Sequence, residues 1–338
     1  MTMEAYGPLE NLSTSHEQSS VTRRGFLDCS LRAALAGALL GSRRLLAGTD
    51  RVATAPAPGG SRVVMMTSER VIEGLQVRPI RLRRLIEDGL CRLTGAPSAT
   101  AAWAAFARPG QKLLIKGTRL PGAGLGIEGA FLAVVLDSLA RAGHRLADIT
   151  VGGCDVPPTL EGVAPTSQGW STRTVDLAGE RQQIRRYLEG VDVVINLPSL
   201  TDHNVAGLAC AMMNVTLPYI RRPGRVLDAG VHEAVVSLYG ATDVLPRPAV
   251  TIVDALRCVI EGGPVVADAH VVAGRGVWLA TDPVAVDRVA LQWLHQQRTA
   301  RGLPALAATR PARYVAMASA AGLGHGDLRN VRIETHPA

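Results

Sequence analysis

The sequence predicts an α/β fold in which a mostly parallel sheet is covered by helices on both faces. From residue 62 onward, short apolar runs rich in Val, Ile and Leu alternate with stretches of helical periodicity. Aromatic residues make up only 4% of the chain, so the core must be built from Val, Leu, Ile and Ala, the usual content of a sheet buried on both sides. With 338 residues, 47% of them hydrophobic, the chain has enough apolar side chain for one large core or two small ones, and disorder is not expected.

Strands are expected over 62–66, 112–116, 148–152, 172–177, 191–197, 249–253 and 277–280. Helices are expected over 80–93, 128–142, 180–189, 205–213, 231–239, 283–297 and 312–321. These elements make one α/β domain over 62–335, preceded by a leader and linker over 1–55. In a parallel sheet the ligand sits beyond the carboxyl ends of the strands, so the loops 117–126, 153–169 and 198–204 are where chemistry is expected.

The formal net charge is +7, and of 36 basic residues only Lys112 and Lys116 are lysine. Richness in both arginine and alanine reflects compositional bias. After the N-terminal segment, no stretch combines clustered basic residues with interleaved aromatics, so no nucleic-acid partner is expected.

Residues 1–20 are polar and are followed by Thr22, Arg23, Arg24, Gly25, Phe26 and Leu27, then by a weakly apolar run over 31–41. This resembles the twin-arginine export signal. The run is shorter than the roughly 20 apolar residues of a membrane-spanning helix. Arg43 and Arg44 come after it, then Ala53-Thr54-Ala55 in the small-x-small form of a cleavage site, with a cut after Ala47 as the alternative. A Pro/Gly cluster over 55–60 reads as a linker. The competing interpretation is an amphipathic first helix of the folded domain. A lipid anchor at Cys29 is not expected, because Asp28 precedes it.

The export resemblance implies the twin-arginine translocation machinery as a partner and a periplasmic or extracellular destination. That route carries folded proteins, which raises the expectation of a bound cofactor without naming one. Cys91, Cys154, Cys210 and Cys258 are scattered without C-x-x-C spacing, so isolated buried thiols are expected rather than an internal iron–sulfur cluster. Two disulfides in an oxidising compartment are the alternative.

The run from Asp192 to His203 contains Asn196 and Pro198 and is followed by Met213-Asn214. It resembles the central signature of the domain-of-unknown-function family 362: an apolar strand, Asn-x-Pro-x-x-Lys-x-His, and then Lys-Asn. Further segments agree in order. Trp103 to Lys116 is similar to the family's Pro-Gly-x-x-Val-x-x-Lys strand, His232 to its second histidine, Asp254 to its Ile-Val-Asp, and Gly262-Gly263-Pro264 to its Gly-Gly-Pro. Thr281 to Asp287 and Ala321 to Asp327 complete the set, which spans 62–335. The resemblance implies a large α/β domain of bacteria and archaea, sometimes preceded by such a leader and sometimes fused to a ferredoxin-like module, with no settled reaction. Where the family carries lysine, this chain has Thr201 and Met213, and the family's Pro-Asn after the strand lysine is Gly117-Thr118. These departures imply a ligand less anionic than that of the relatives, or a site partly dismantled.

Lys116 stands at a strand end, where a compact ammonium can bind an acidic group or act as a base once desolvated; an ordinary strand-end lysine like Lys112 is the alternative. His203, placed ahead of an expected helix, could ligate a metal, act in acid–base chemistry or simply cap. His203, His232 and Asp254 together would give two imidazoles and a carboxylate, able to hold a divalent metal with positions left open. Asp254 is expected at a parallel strand end, as a catalytic carboxylate, an orienting group or a loop cap.

Asn196, Asn214 and Gly263 are the candidates for contact with a cofactor or small-molecule ligand. Asp282-Pro283 reads as a helix cap, and Asp287, one turn on, could face solvent or the site. The G-x-G-x-x-G from Gly124 to Gly129 lacks a ribose-binding acid and reads as an active-site loop. Cys154 is a candidate reactive thiol without a visible activating partner. The resulting expectation is an exported enzyme or cofactor-carrying protein centred on Lys116, His203, Asn214, His232 and Asp254, its cofactor unidentified. The alternative is a non-catalytic binding or assembly factor for a partner redox protein.

Overall fold

The computed structural model describes residues 60–74, 76–120, 127, 129–156, 161–164, 166–177 and 179–338. The expected leader, Cys29, the candidate cleavage sites and most of the 124–129 glycine motif lie outside the described residues. All described residues belong to the second of two units, Arg51–Ala338.

In chain order the elements begin with β1 (Ser61–Thr67), the short hairpin β2 (Ile72–Glu73) and β3 (Gln76–Val77), α1 (Pro79–Thr94) and α2 (Ala99–Ala104). Next come β4 (Leu113–Gly117), α3 (Gly129–Arg141), β5 (Ile149–Gly152), β6 (Trp170–Leu177) and β7 (Glu180–Arg185). β8 (Val193–Leu197), β9 (Ser199–His203), β10 (Gly207–Ala209), the one-turn α4 (Ala211–Asn214) and α5 (Pro223–Gly240) follow. The chain closes with β11 (Pro248–Val259), β12 (Val271–Ala280), α6 (Pro283–Thr299), α7 (Leu306–Thr309), α8 (Arg313–Ala320) and β13 (Val331–Pro337).

The main sheet runs β13-β1-β12-β11-β8-β4-β5, with β9 joining β11 beyond the end of β8 and β10 pairing with β9. β11, β8, β4 and β5 are mutually parallel, as are β1 and β13, and β12 is antiparallel to both its neighbours. The sheet is thus mixed but mostly parallel, as expected. Its central strands β4 and β8 are buried along their whole length, and their alternate apolar residues enter different cores. Leu113, Ile115, Ile195 and Ile252 pack with Leu82 and Leu85 of α1 and Phe131 and Val135 of α3. Leu114, Val194 and Val253 pack on the opposite face with Met212, Val235, Val286 and Tyr314 from α4, α5, α6 and α8.

Asp282 caps α6 as expected, its Oδ1 accepting from the Val284 and Ala285 N–H groups at 2.8 and 3.1 Å. Its Oδ2 accepts from Ser61 Oγ at 2.6 Å and from the His325 N–H at 2.8 Å, which ties the start of β1 to the 325 turn. Cys91, Cys154, Cys210 and Cys258 are free thiols.

Several expected elements differ. Residues 180–185 form a strand rather than a helix, paired with β6 in a hairpin where Arg185 lies 4.1 Å over the Trp170 ring. The expected helix over 205–213 is instead the end of a β9–β10 hairpin followed by the single turn α4. Gly207 takes φ +77°, and a Cβ there would lie 2.1 Å from the Arg310 carbonyl oxygen, so the chain bends back to meet residue 310. β11 continues to Val259 through a bulge between Ala255 and Arg257, which moves Asp254 from a strand end to a strand interior. α5 starts eight residues earlier than expected, interrupted by Gly230 at φ 157°.

β9 is anchored from its far side by charge. Asp202, wholly buried, accepts from Arg310 Nη2 with both oxygens, at 3.0 and 2.9 Å. Arg310 also reaches Glu261 at 2.8 Å, and Glu261 pairs with Arg298, which is 1% exposed and donates to the Ile260 carbonyl at 2.6 Å. Burial raises the Asp202 pKa and Arg310 opposes that rise. Arg310→Met strands a buried carboxylate and is expected to lower stability by about 3–5 kcal/mol, read from urea unfolding; adding Asp202→Asn is expected to restore part of the loss.

Candidate functional site

The site begins with a row of residues in register across four parallel strands: Gly152, Lys116, Asn196 and Thr251 on β5, β4, β8 and β11. All lie near the carboxyl ends of their strands or at the matching level of β11. The pleat turns Lys116 and Asn196 toward the face that carries α4. There they meet Asn214, the last residue of that helical turn.

Asn214 uses its whole hydrogen-bonding capacity at this junction. Its Oδ1 accepts from Lys116 Nζ at 2.7 Å and Thr118 Oγ1 at 3.1 Å, and its Nδ2 donates to the Lys116 carbonyl at 3.0 Å and Asn196 Oδ1 at 2.8 Å. Asn196 Nδ2 in turn donates to the Ala211 carbonyl at 3.0 Å and Thr251 Oγ1 at 3.3 Å. α4 is held at its other end by Asp287, whose carboxylate accepts from the Ala211 and Met212 N–H groups at 2.6 and 3.0 Å. Burial pushes the Asp287 pKa up to about 7 against the pull of those two N–H groups.

Lys116 is 1% exposed and also donates to the Gly117 carbonyl at 2.6 Å. Burial lowers its pKa from 10.5 to about 7, with the nearby Cys154 and Arg185 as smaller influences of opposite sign. The enclosure needs glycine: at Gly153, φ +81°, a Cβ would lie 2.4 Å from Lys116 Nζ. Cys154, beside Gly117, has its thiol pushed up to about 11 by burial, so it is not an activated nucleophile.

Over Asn214, beyond the ends of β4 and β8, lies a cavity of about 340 Å³. Thr118 and Leu120 line it from the segment after β4, and Ser199, Thr201 and His203 from alternate positions of β9. Ala209, Cys210, Met213, Leu217, Pro218, Pro223, Leu227 and Pro264 make up the rest of the wall with Asn214. No lysine, arginine or acidic side chain is among these lining residues. His203 Nδ1 accepts from the Val205 and Ala206 N–H groups, each at 3.2 Å, so the ring caps the β9–β10 turn rather than a helix. Burial and the Arg310 charge lower its pKa. Gly263 lets the 262–264 segment touch β9: its carbonyl accepts from the Asn204 N–H at 2.7 Å, and a Cβ on it would lie 2.0 Å from the Asp202 carbonyl oxygen. That contact brings Pro264 to the cavity wall.

Residues 161–292 match the family described as Domain of unknown function (DUF362). The matched stretch carries Asn196, Ser199, His203, Asn214, His232, Asp254 and Asp287; the remaining site residues, Lys116 and Thr118, precede it. A comparison with curated proteins finds no match to the chain.

The structure brings Lys116, Asn196 and Asn214 together and sets His203 on the same cavity, but it leaves other candidates elsewhere. His232 is not among the lining residues; it stacks on Tyr314 with ring centroids 6.2 Å apart. Asp254 accepts from the Leu256 N–H at 3.0 Å within its own strand. Among the described residues no three His, Cys, Asp or Glu side chains are grouped to hold a metal ion, so the His203–His232–Asp254 set is not assembled here. Lys116 lies beneath Asn214 and is not a lining residue, so it supports the cavity floor rather than offering charge to a ligand. Asn196 and Gly263 shape the site through the fold. The contributions of Ser199 and Asp202 escaped sequence reasoning, since Ser-Leu-Thr-Asp-His over 199–203 has one apolar residue and no strand alternation to signal β9.

Because the chain has only two lysines, NMR of protein labelled at lysine Cε resolves each. The resonance missing from Lys116→Met is expected to titrate near pH 7. Between that value and 10.5 the unfolded chain binds the extra proton, so the Lys116 contribution makes stability rise with pH over this window, and Lys116→Met is expected to remove that slope.

Proposed function

We propose that the protein binds a small, uncharged and largely apolar molecule in the cavity above Asn214, and that it does so as a protein exported by the twin-arginine route. One observation carries the binding proposal. Thr118, Thr201 and Met213, three of the four positions at which the chain departs from the family pattern, line this cavity, and the fourth, Gly117, adjoins Thr118. Unselected drift would scatter such changes over the fold. Lysines at 201 and 213 would set two ammonium groups in the wall, whereas a hydroxyl and a thioether leave it neutral. An anion entering it would lose its hydration without gaining a charged partner, a cost that excludes charged ligands in favour of neutral ones. The cavity's size suits a small organic molecule, and its apolar wall with a few polar groups is the usual make-up of such a site. The export proposal rests on Arg23, Arg24, Phe26 and Leu27 with the apolar run and Pro/Gly cluster after them.

Two fluorescent probes with one ring system test the binding proposal: neutral N-phenyl-1-naphthylamine and anionic 1-anilinonaphthalene-8-sulfonate. The neutral probe is expected to bind at least about tenfold more tightly, and Met213→Lys is expected to reverse that order. Equal or tighter binding of the sulfonate by the unaltered protein, or binding of neither probe, refutes the proposal.

A further inference from the structure

We infer that the ligand of this cavity is an elongated neutral dicarbonyl compound with an apolar body, its oxygens accepting hydrogen bonds from Ser199 at one end of β9 and His203 at the other. The inference rests on the cavity being the binding site and adds the chemistry of the ligand. β9 sends alternate side chains to one side, so Ser199, Thr201 and His203 form a polar stripe that faces an otherwise apolar wall. Thr201 is engaged by the hairpin, its Oγ1 donating to the Ala209 carbonyl at 3.3 Å. The two ends of the stripe differ from it.

Ser199 is 3% exposed, and its Oγ has no hydrogen-bond partner. A hydroxyl buried in that condition destabilises the fold, and an alanine in its place would not. Its backbone N–H is already used, donating to Thr118 Oγ1 at 3.2 Å, so the side chain alone has unused capacity. At the other end, His203 Nδ1 accepts from two backbone N–H groups and therefore carries no proton. The neutral ring must then hold its proton on Nε2, where it can only donate. Burial and the Arg310 charge favour that neutral form.

The stripe thus ends in an O–H and an N–H, separated by four strand residues, or about 13 Å between their Cα atoms. A molecule that satisfies both from within a wall whose described lining residues carry no charged side chain needs an acceptor oxygen at each end and no net charge. Ketone and quinone carbonyls meet that requirement. Carboxylates supply acceptors but fail on charge, and plain hydrocarbons leave both donors unsatisfied.

The test compares 2,6-diacetylnaphthalene with 2,6-diethylnaphthalene, which differ in the two carbonyl oxygens, by equilibrium dialysis against the full chain and its Ser199→Ala variant. The unaltered protein is expected to favour the diketone by about tenfold. Ser199→Ala is expected to cut that preference roughly three- to tenfold, leaving the hydrocarbon's affinity and the thermal midpoint unchanged or raised, since no bond within the protein is lost. Equal affinity for the two compounds, or an undiminished preference in Ser199→Ala, overturns the inference while binding of the neutral naphthylamine keeps the cavity proposal standing. Failure of both naphthalenes to bind while that probe does also overturns it, and failure of all three removes the cavity proposal as well.

Discussion

A lysine head group shut inside a protein, charged or neutral, must find its hydrogen-bond acceptors in the fold itself, and much of the site follows from that demand at Lys116. The acceptors are the Gly117 carbonyl and Asn214 Oδ1. Asn214 can serve only if its amide is fixed in one orientation, which Asn196 and Thr118 accomplish, and only if α4 stands at the correct height, which Asp287 secures from a different helix. Two carboxylates that look alike in sequence, five residues apart, therefore hold different helices: Asp282 caps its own α6, and Asp287 caps α4. The cavity floor is a consequence of this chain of satisfied groups. Cohesion of this kind is cooperative, since removing any member leaves its neighbours unpaired in a low-dielectric interior.

β9 divides its labour by pleat. One side carries Asp202, held by Arg310 and through it by Glu261 and Arg298; the other carries the polar stripe of the cavity. Because the strand is clamped from behind by charge, its front is placed without spending the Ser199 hydroxyl, while Thr201 and His203 serve the β9–β10 hairpin. Gly263 completes the clamp by lying against the Asp202 carbonyl.

The architecture was legible in the sequence where burial is uniform. β4 and β8 are apolar runs interrupted only by Lys116 and Asn196, α1 repeats its apolar residues at Leu82, Leu85, Ile86 and Leu90, and Asp282-Pro283 marks the start of α6. Legibility failed where tertiary partners override local pattern. Ser199 to His203 has Leu200 as its one apolar residue and does not read as a strand, because its inward positions include an aspartate whose burial makes sense only beside Arg310, more than a hundred residues away. Glu180 to Arg185 is rich in helix formers and becomes a strand because β6 offers it a ladder. Lys116 was singled out for catalysis and Asn196 and Asn214 for ligand contact; that the three satisfy one another is not written in the sequence. The two-histidine metal set is not grouped among the described residues, and convergence in space is something that spacing along the chain does not encode.

The pairing of β1 has a bearing on how the molecule comes to be folded. Its neighbours in the sheet are β12 and β13, so Ser61 lies opposite Val331, and Arg62 bridges a sequence separation of 272 to reach Glu334. During synthesis this strand emerges long before either flank exists, and its apolar residues remain without their sheet partners until β12 and β13 have been made. Contacts of such long range slow folding and expose apolar surface while they are awaited. A chain built this way gains from a chaperone that shields the waiting segment, and premature termination near the carboxyl end would unseat the start of the domain as well as its end.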